Sequence, residues 1–234
     1  MLNEIYKVDD AIFERYPEVK IGLLIGRDVT VGGSDPAINA YRRQAFERVT
    51  EVLGDSPVTS HPFIASWRNM YRSFGTRPGD YRPSAEALVR RVLKGRGLPD
   101  INVAVDAYNA VSVRHLIPMG GFDLNLIQGK IRLRFSGGGE EFNPLGSSGP
   151  EKTYEGEAVY ADDARVLTRR WNFRDCKETM ITGDTRDFVM FVDGSPEIPV
   201  EAVEFALGDL TSLLSVCCGG EYASTVVDSG RPST

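Results

Sequence analysis

The sequence has very few of the residues on which metal enzymes and disulfide scaffolds depend. Its 234 residues include two distant histidines, His61 and His115, and three cysteines without a CxxC pair. This leaves no HExxH or Cys/His metal spacing, and an odd set of cysteines predicts reduced thiols. The GxxxxGK[ST] and GxSxG motifs are missing too, and no predicted strand runs into GxGxxG. We therefore expect no metal, no cofactor and no disulfide framework.

Long apolar runs are also missing. The stretch at 21–26 is far shorter than the roughly 20 residues of a membrane span, and the opening MLNEIYKVDDAIFERY carries charges where a secretory signal has an apolar core. These absences predict a cytoplasmic protein without a membrane helix. A net charge of −6 argues against a general nucleic-acid coat, although it leaves room for a local basic patch.

The hydrophobic pattern predicts an α+β fold. Apolar residues at helical spacing predict helices at 36–53, at 84–94 with Ser84 as the cap, and at 199–218, with a helical turn at 64–74. Strands are predicted at 19–25, 27–31, 101–105, 110–113, 131–135, 158–161, 165–169, 188–192 and 222–227. Most of these strands lack long crossovers between them, which favours a mixed or largely antiparallel sheet with flanking helices.

We expect one domain over residues 1–234. Within it, residues 1–55 form a strand–helix layer and residues 228–234 a frayed tail. The sequence leaves open whether 1–55 is instead a separate small domain.

The segment from 66 to 96 is basic within an acidic chain, with eight bases and two acids. Arginine forks suit phosphate oxygens, and the interspersed Trp67, Tyr71 and Tyr81 suit stacking on bases. The alternative is a solvated surface whose arginines pair with acids in the fold. The predicted RNA-binding residues are Arg68, Arg72, Arg90, Arg91 and Lys94.

Polar residues inside apolar text mark a second region, at 101–113. A buried Asp or Asn needs hydrogen-bond partners, so such a residue either locks a turn or faces a pocket. We favour the structural role for Asn102 and Asp106. For Tyr108 and Asn109 both interpretations stay open.

A third region, RRWNFRD at 169–175, places an aromatic side chain beside an amide and a carboxylate. That combination suits a site for a small polar ligand. A strand end with a buried Trp171 is the alternative. Asn172, Arg174 and Asp175 are the candidate pocket residues.

Three passages, in a matching order and spacing, carry a resemblance to a known family. They are Pro83-Ser84, Leu88, Arg91, Leu93 and GLPDINVAVDAYN at 97–109; Pro118-Met119, Phe122-Asp123, Gly129, Ile131, Arg134 and Gly139-Glu140; and Asp162 with Thr185-Arg186-Asp187 to Val189. Over residues 82–192 the chain resembles the B3/B4 module of the bacterial phenylalanyl-tRNA synthetase beta subunit. The resemblance implies the α+β fold of that module and a free-standing B3/B4 protein.

In the synthetase this module holds the editing site, where the ester of a mischarged tRNA is hydrolysed. The resemblance implies that Asn109 carries over as a catalytic residue, whereas the family's threonine falls on Tyr108 and its histidine on Gly120. The family's pocket wall falls near Trp171 and Asn172, and its tyrosine-recognising glutamate near Phe191. From the local chemistry we add Asp175 as a second catalytic candidate, with Tyr108, Gly120, Trp171, Asn172 and Arg174 as substrate-binding residues.

The leading hypothesis is therefore trans-editing of a mischarged aminoacyl-tRNA, with the aminoacylated acceptor end and its amino acid moiety as partners. Two alternatives stay open. One is a non-catalytic tRNA- or RNA-binding module, and the other is a binder of a small amino-acid-like ligand that never meets RNA.

Overall fold

Two larger sheets and six helices organise the chain in the computed structural model, which describes residues 5–146 and 149–231. The helices are α1 (Asp10–Arg15), α2 (Pro36–Leu53), α3 (Pro62–Ser73), α4 (Ser84–Leu93), α5 (Val103–His115) and α6 (Val200–Cys218). The strands are β1 (Tyr6–Val8), β2 (Lys20–Arg27), β3 (Met119–Asp123), β4 (Ile131–Gly137), β5 (Glu141–Phe142), β6 (Glu151–Lys152), β7 (Glu155–Ala161), β8 (Val166–Arg169), β9 (Arg174–Asp175), β10 (Phe188–Gly194) and β11 (Glu221–Val227). The expected α+β class is confirmed.

The first sheet has the order β1-β4-β7-β8-β9 and is mixed, because β1 lies parallel to β4. The second, β11-β2-β10-β3, is antiparallel, and β5 and β6 form a small separate pair. The N-terminal segment thus contributes an edge strand to one sheet and an inner strand to the other. The two sheets meet through an aromatic cluster of Tyr6, Phe122, Tyr160 and Phe191.

Strand β2 explains why the run IGLLIG is apolar throughout. Every residue from Ile21 to Gly26 is buried, since β11 and β10 flank the strand and α6 packs across it. A Cβ at Gly22 would lie 2.8 Å from the Leu207 side chain. The glycine therefore permits the close approach of helix to sheet.

Helix α5 is the main correction to the sequence analysis. The strands expected at 101–105 and 110–113 are wrong, because residues 103–115 form one continuous helix. It packs against α2, α4, α6 and β3, and ten of its thirteen residues are buried. A helix covered on almost every side shows no amphipathic period, and its valines imitate a strand pattern.

Two smaller expectations also change. The second strand expected at 27–31 does not form: Arg27 ends β2, and the backbone amides of Val29 and Thr30 donate to the carbonyl oxygens of Arg186 and Cys218. Ser84 is the first residue of α4 rather than its cap, since Pro83 holds the capping position. The frayed tail expected at 228–234 stays a prediction: residues 228–231 form a turn, and residues 232–234 lie outside the described residues. Within the described chain, no helix combines the length and apolarity needed to cross a bilayer.

Candidate active site

A cavity of about 280 Å³ lies where α4 and α5 meet the two sheets. Its walls are mostly aromatic and apolar, with a few polar groups that converge on the interior, as is usual for small-molecule sites. The lining residues are Ser84, Ala87, Leu88, Tyr108, Asn109, Met119, Gly120, Phe122, Leu145, Tyr160, Thr168, Trp171, Asn172, Phe173, Arg174, Asp175, Phe191 and Asp193.

Asp175 is held at the cavity wall by the hairpin of β8 and β9. The register of this hairpin places Thr168 opposite Asp175, and the Thr168 hydroxyl donates to Asp175 Oδ1 over 2.5 Å. The other oxygen, Oδ2, lies 3.5 Å from the position that a Cβ on Gly120 would occupy. Because Gly120 has no side chain, this oxygen faces open space.

The turn of the same hairpin is strained. Arg170 and Trp171 both adopt the left-handed region, with φ of 51° and 67°. This conformation is uncommon for large side chains and disfavoured by roughly 1–2 kcal/mol per residue. Such strain persists where the surrounding packing imposes it, commonly next to functional groups. Here it places the Trp171 ring in the cavity wall, fully buried against Trp67.

Asp193 forms the second acidic position and lies deeper. Tyr160 donates to its Oδ1 over 2.6 Å and the Asn172 amide to its Oδ2 over 3.1 Å. Tyr71 in turn donates to the Asn172 carbonyl oxygen over 2.8 Å. Asn172 is therefore locked in one orientation by a buried network.

Burial perturbs both acids. It raises the pKa of Asp175 from 3.8 to about 6, against the opposing hydrogen bond from Thr168. It raises the pKa of Asp193 to about 7, although Tyr160 and Asn172 favour its charged form. No cationic side chain of the described residues compensates either group. Perturbed carboxyls in a cleft are the groups expected of a catalytic or ligand-binding site.

Helix α5 brings Tyr108 and Asn109 to the same cavity. The helix begins at Asn102, whose side chain accepts from the Val105 amide, and Asp106 is tied to the Arg42 guanidinium. The expected structural roles of Asn102 and Asp106 agree with these contacts. One turn further on, Asn109 is 8% exposed and lines the cavity.

All seven residues named from the sequence as catalytic or substrate-binding line this one cavity: Tyr108, Asn109, Gly120, Trp171, Asn172, Arg174 and Asp175. Their individual roles stay predictions. The sequence analysis missed Asp193, Thr168 and Tyr160. Asp193 carried a usable signal, because it is an acid placed directly after the apolar run FVMFV. Neither histidine is a lining residue: His61 precedes α3, and His115 ends α5 and bonds to Asp209.

The predicted RNA-binding residues separate into two groups. Arg68 is drawn into a salt bridge with Glu86, and the exposed Arg72 lies beside it on α3. Arg90, Arg91 and Lys94 line a groove along α4 together with Arg82 and Arg96. Ala87 belongs to both this basic groove and the cavity, so the two are contiguous.

Solved structures and protein families include proteins that are similar to this chain. A solved N-terminal fragment of the phenylalanyl-tRNA synthetase beta subunit from Pyrococcus horikoshii shares 14% identity, with a TM-score of 0.43. The match covers 94% of this chain and 50% of the other, so the chain spans about half of that fragment. No curated protein matches. The family model of the B3/4 domain matches residues 66–219, which is well over half of the sequence. The chain therefore belongs to the B3/4 domain family.

Proposed function

We propose that this chain is a trans-acting deacylase that hydrolyses the ester of a mischarged aminoacyl-tRNA. The observation that carries the proposal is the convergence of Asn109 and the free oxygen of Asp175 on one cavity within a B3/4 domain. An aminoacyl ester is already activated, so its hydrolysis requires a positioned water and a stabilised oxyanion but no metal.

In the proposed reaction Asp175 is the general base. Its Oδ2 takes a proton from a water molecule as the water oxygen attacks the ester carbonyl carbon. The Asn109 amide donates to the carbonyl oxygen, which gains negative charge in the transition state. The bond to the ribose oxygen then breaks, and that oxygen takes the proton from Asp175. The products are the free amino acid and the uncharged tRNA.

The charge of the cavity suits the substrate. A protonated α-amino group adjoins the ester of an aminoacyl-tRNA, and the two uncompensated acids favour a cation. Phe191 lines the cavity near the position to which the resemblance assigns the tyrosine-recognising glutamate, and its side chain presents no hydrogen-bond acceptor to a phenol. We therefore propose an amino acid other than tyrosine as the preferred substrate. The proposed substrate is a tRNA, which is charged and used in the cytoplasm, so we propose a cytoplasmic location for the protein.

The test is release of labelled amino acid from a panel of mischarged tRNAs, including tyrosine on the phenylalanine tRNA. We expect wild-type turnover on at least one member, and roughly 10²- to 10⁴-fold less with Asp175→Asn, the range for loss of a general base. Asn109→Ala should slow the reaction about 10²-fold through loss of one oxyanion donor. The wild-type rate should decrease as the pH is lowered through about 6, because Asp175 then becomes protonated and cannot act as a base. Absence of turnover on the whole panel, or an unchanged rate for Asp175→Asn, would reject the proposal.

One observation favours a second candidate, a non-catalytic RNA-binding module. Gly120 occupies the cavity position on which the family's histidine falls, so that polar group is missing. The groove beside the cavity nevertheless has five basic side chains. This candidate requires salt-sensitive tRNA binding without ester hydrolysis. A binder of a small amino-acid-like ligand would instead show a raised Tm with a free amino acid and no affinity for RNA.

A further inference from the structure

An exposed aromatic ring lies between the basic groove and the cavity. Tyr81 is 37% exposed. Its neighbour Arg82 lines the groove, and Phe173, whose ring packs against Tyr81 at a centroid distance of 5.2 Å, lines the cavity. Tyr81 thus lies where a surface suited to phosphates adjoins a pocket suited to an aminoacyl group.

The Arg170 guanidinium packs against one face of the Tyr81 ring. Its guanidinium carbon lies 3.6 Å from the Tyr81 ring centroid, which is close cation–π contact. Arg170 is 5% exposed, and its Nε and Nη1 are buried without a hydrogen-bond partner among the described residues. A guanidinium buried in this way is costly. Its contacts are instead with rings, Tyr81 on one side and Phe173 at 5.4 Å.

The covered and open parts of Tyr81 can therefore be distinguished. Arg170 is buried beneath one face of the ring, so the exposure of Tyr81 belongs to the rest of the side chain, which includes the opposite face. The distances among Arg170, Tyr81 and Phe173 place Phe173 beside the edge of the Tyr81 ring. Phe173 therefore anchors the ring without covering the face opposite Arg170. An anchored, open aromatic face beside a cationic groove is the arrangement by which proteins stack the bases of single-stranded nucleic acid.

We propose that Tyr81 is a stacking platform for the terminal base of a single-stranded RNA 3′ end. Phosphates of that strand follow Arg82, Arg90 and Arg91 along the groove, and the terminal ribose reaches the cavity past Phe173. This inference rests on the proposed function for the direction of the strand. The stacking itself requires no ester chemistry, so it can be tested with uncharged RNA.

The experiment uses the full chain and a synthetic acceptor-stem minihelix that ends in CCA, with 2-aminopurine in place of the terminal adenine. Stacking quenches 2-aminopurine fluorescence, so the wild-type protein should quench it on binding. Tyr81→Ala should abolish the quenching and weaken binding roughly 5- to 150-fold, the equivalent of the ~1–3 kcal/mol of one base–aromatic stack. Tyr81→Phe keeps the ring and should bind within about 3-fold of wild type.

Two controls keep the result specific. Phe205 is a more exposed aromatic residue, at 72%, on α6, and Phe205→Ala should change neither quenching nor affinity. A minihelix that ends in CC should bind wild type and Tyr81→Ala equally, because the partner of the ring is gone. If Tyr81→Ala fails to fold, the difference in wild-type affinity between the CCA and CC minihelices still measures the contribution of the terminal base.

The outcomes separate this inference from the deacylase proposal. Quenching that depends on Tyr81, without ester hydrolysis, would support the platform and reject the deacylase. Turnover of a mischarged tRNA without quenching would keep the deacylase and overturn the platform. Equal quenching by wild type and Tyr81→Ala, or no RNA binding by the wild type, would also overturn the platform.

Discussion

The buried carboxylates of α4 and of the cavity differ in whether they have cationic partners. Glu86 on α4 is fully buried and surrounded by arginines, with Arg68 and Arg90 at 2.9 and 2.8 Å and Arg82 at 4.0 Å. Asp175 and Asp193, by contrast, line the cavity beside α4 and have no cationic partner among the described residues.

This difference distinguishes a structural charge from a chemically available one. A buried ion cluster is satisfied internally, so its charge is already used to hold α3 against α4. An uncompensated carboxyl keeps a raised pKa and unused acceptor capacity, which an incoming water or cation can take up.

Removing the carboxylate of Glu86 should have the largest effect on folding. Glu86→Ala leaves Arg68, whose side chain is 17% exposed, without its carboxylate. We expect the free energy of unfolding to fall by about 3 kcal/mol, as for other broken buried ion pairs. Urea denaturation followed by circular dichroism measures it.

The matched control is Glu51→Ala. Glu51 belongs to an exposed pair with Arg48 on α2, and its side chain is 74% exposed. Its removal should change the unfolding free energy by less than about 0.5 kcal/mol. Equal urea midpoints for the two variants would show that the arginine cluster does not stabilise the fold.

Asp175→Asn should have the opposite sign. Because the pKa of Asp175 is raised in the folded protein, its carboxyl favours folding at low pH, and that contribution is lost as the pH rises from about 4 to about 6. Asparagine can still accept from Thr168 and carries no charge. We expect Asp175→Asn to be more stable than wild type by about 3 kcal/mol at pH 8 and nearly equal at pH 4.

Thermal unfolding at the two pH values measures this effect. Combined with the loss of turnover, a gain in stability at pH 8 would assign Asp175 to function rather than to folding. A variant that is less stable than wild type at pH 8 would place Asp175 with Glu86 as a structural acid.

The sequence predicted elements with one buried and one exposed face, and it also predicted the apolar, buried strands β2 and β10. Helix α2 and strand β4 alternate between core and solvent, so their apolar periods are visible. Helix α5 has almost no exposed face, so its sequence shows no helical alternation of apolar and polar residues. The available signals were at its ends, in the capping Asn102 and in Arg114 and His115 of the last turn.

The site was predictable by residue type but not by geometry. Asn109 and Asp175 could be named from the resemblance and from local chemistry. That Thr168 lies opposite Asp175 depends on the hairpin register, and that Gly120 leaves space before its Oδ2 depends on the packing of two sheets. Likewise, counting charges between 66 and 96 could not show that one acid, Glu86, holds several of the arginines.

The smallest expected effect divides the groove itself. The Arg90 Nε donates to Glu86, whereas Arg91 is exposed and, among the described residues, donates only to the Gly97 carbonyl. If charge already used in the fold is less available to RNA, Arg91→Gln should lower the slope of log K against log salt by roughly 0.7–0.9, the value for one phosphate contact. Arg90→Gln should lower it by less than half as much.

Arg132→Gln is the control for net charge, because Arg132 is an exposed arginine on β4, outside the groove. Its salt slope should match that of wild type. Binding of uncharged tRNA by fluorescence anisotropy between 50 and 200 mM salt, roughly the range over which phosphate contacts are resolved, measures all three variants. Equal losses for Arg90→Gln and Arg91→Gln would mean that pairing with Glu86 leaves Arg90 as available as its neighbour, and the contrast between structural and available charge would then apply to the acids alone.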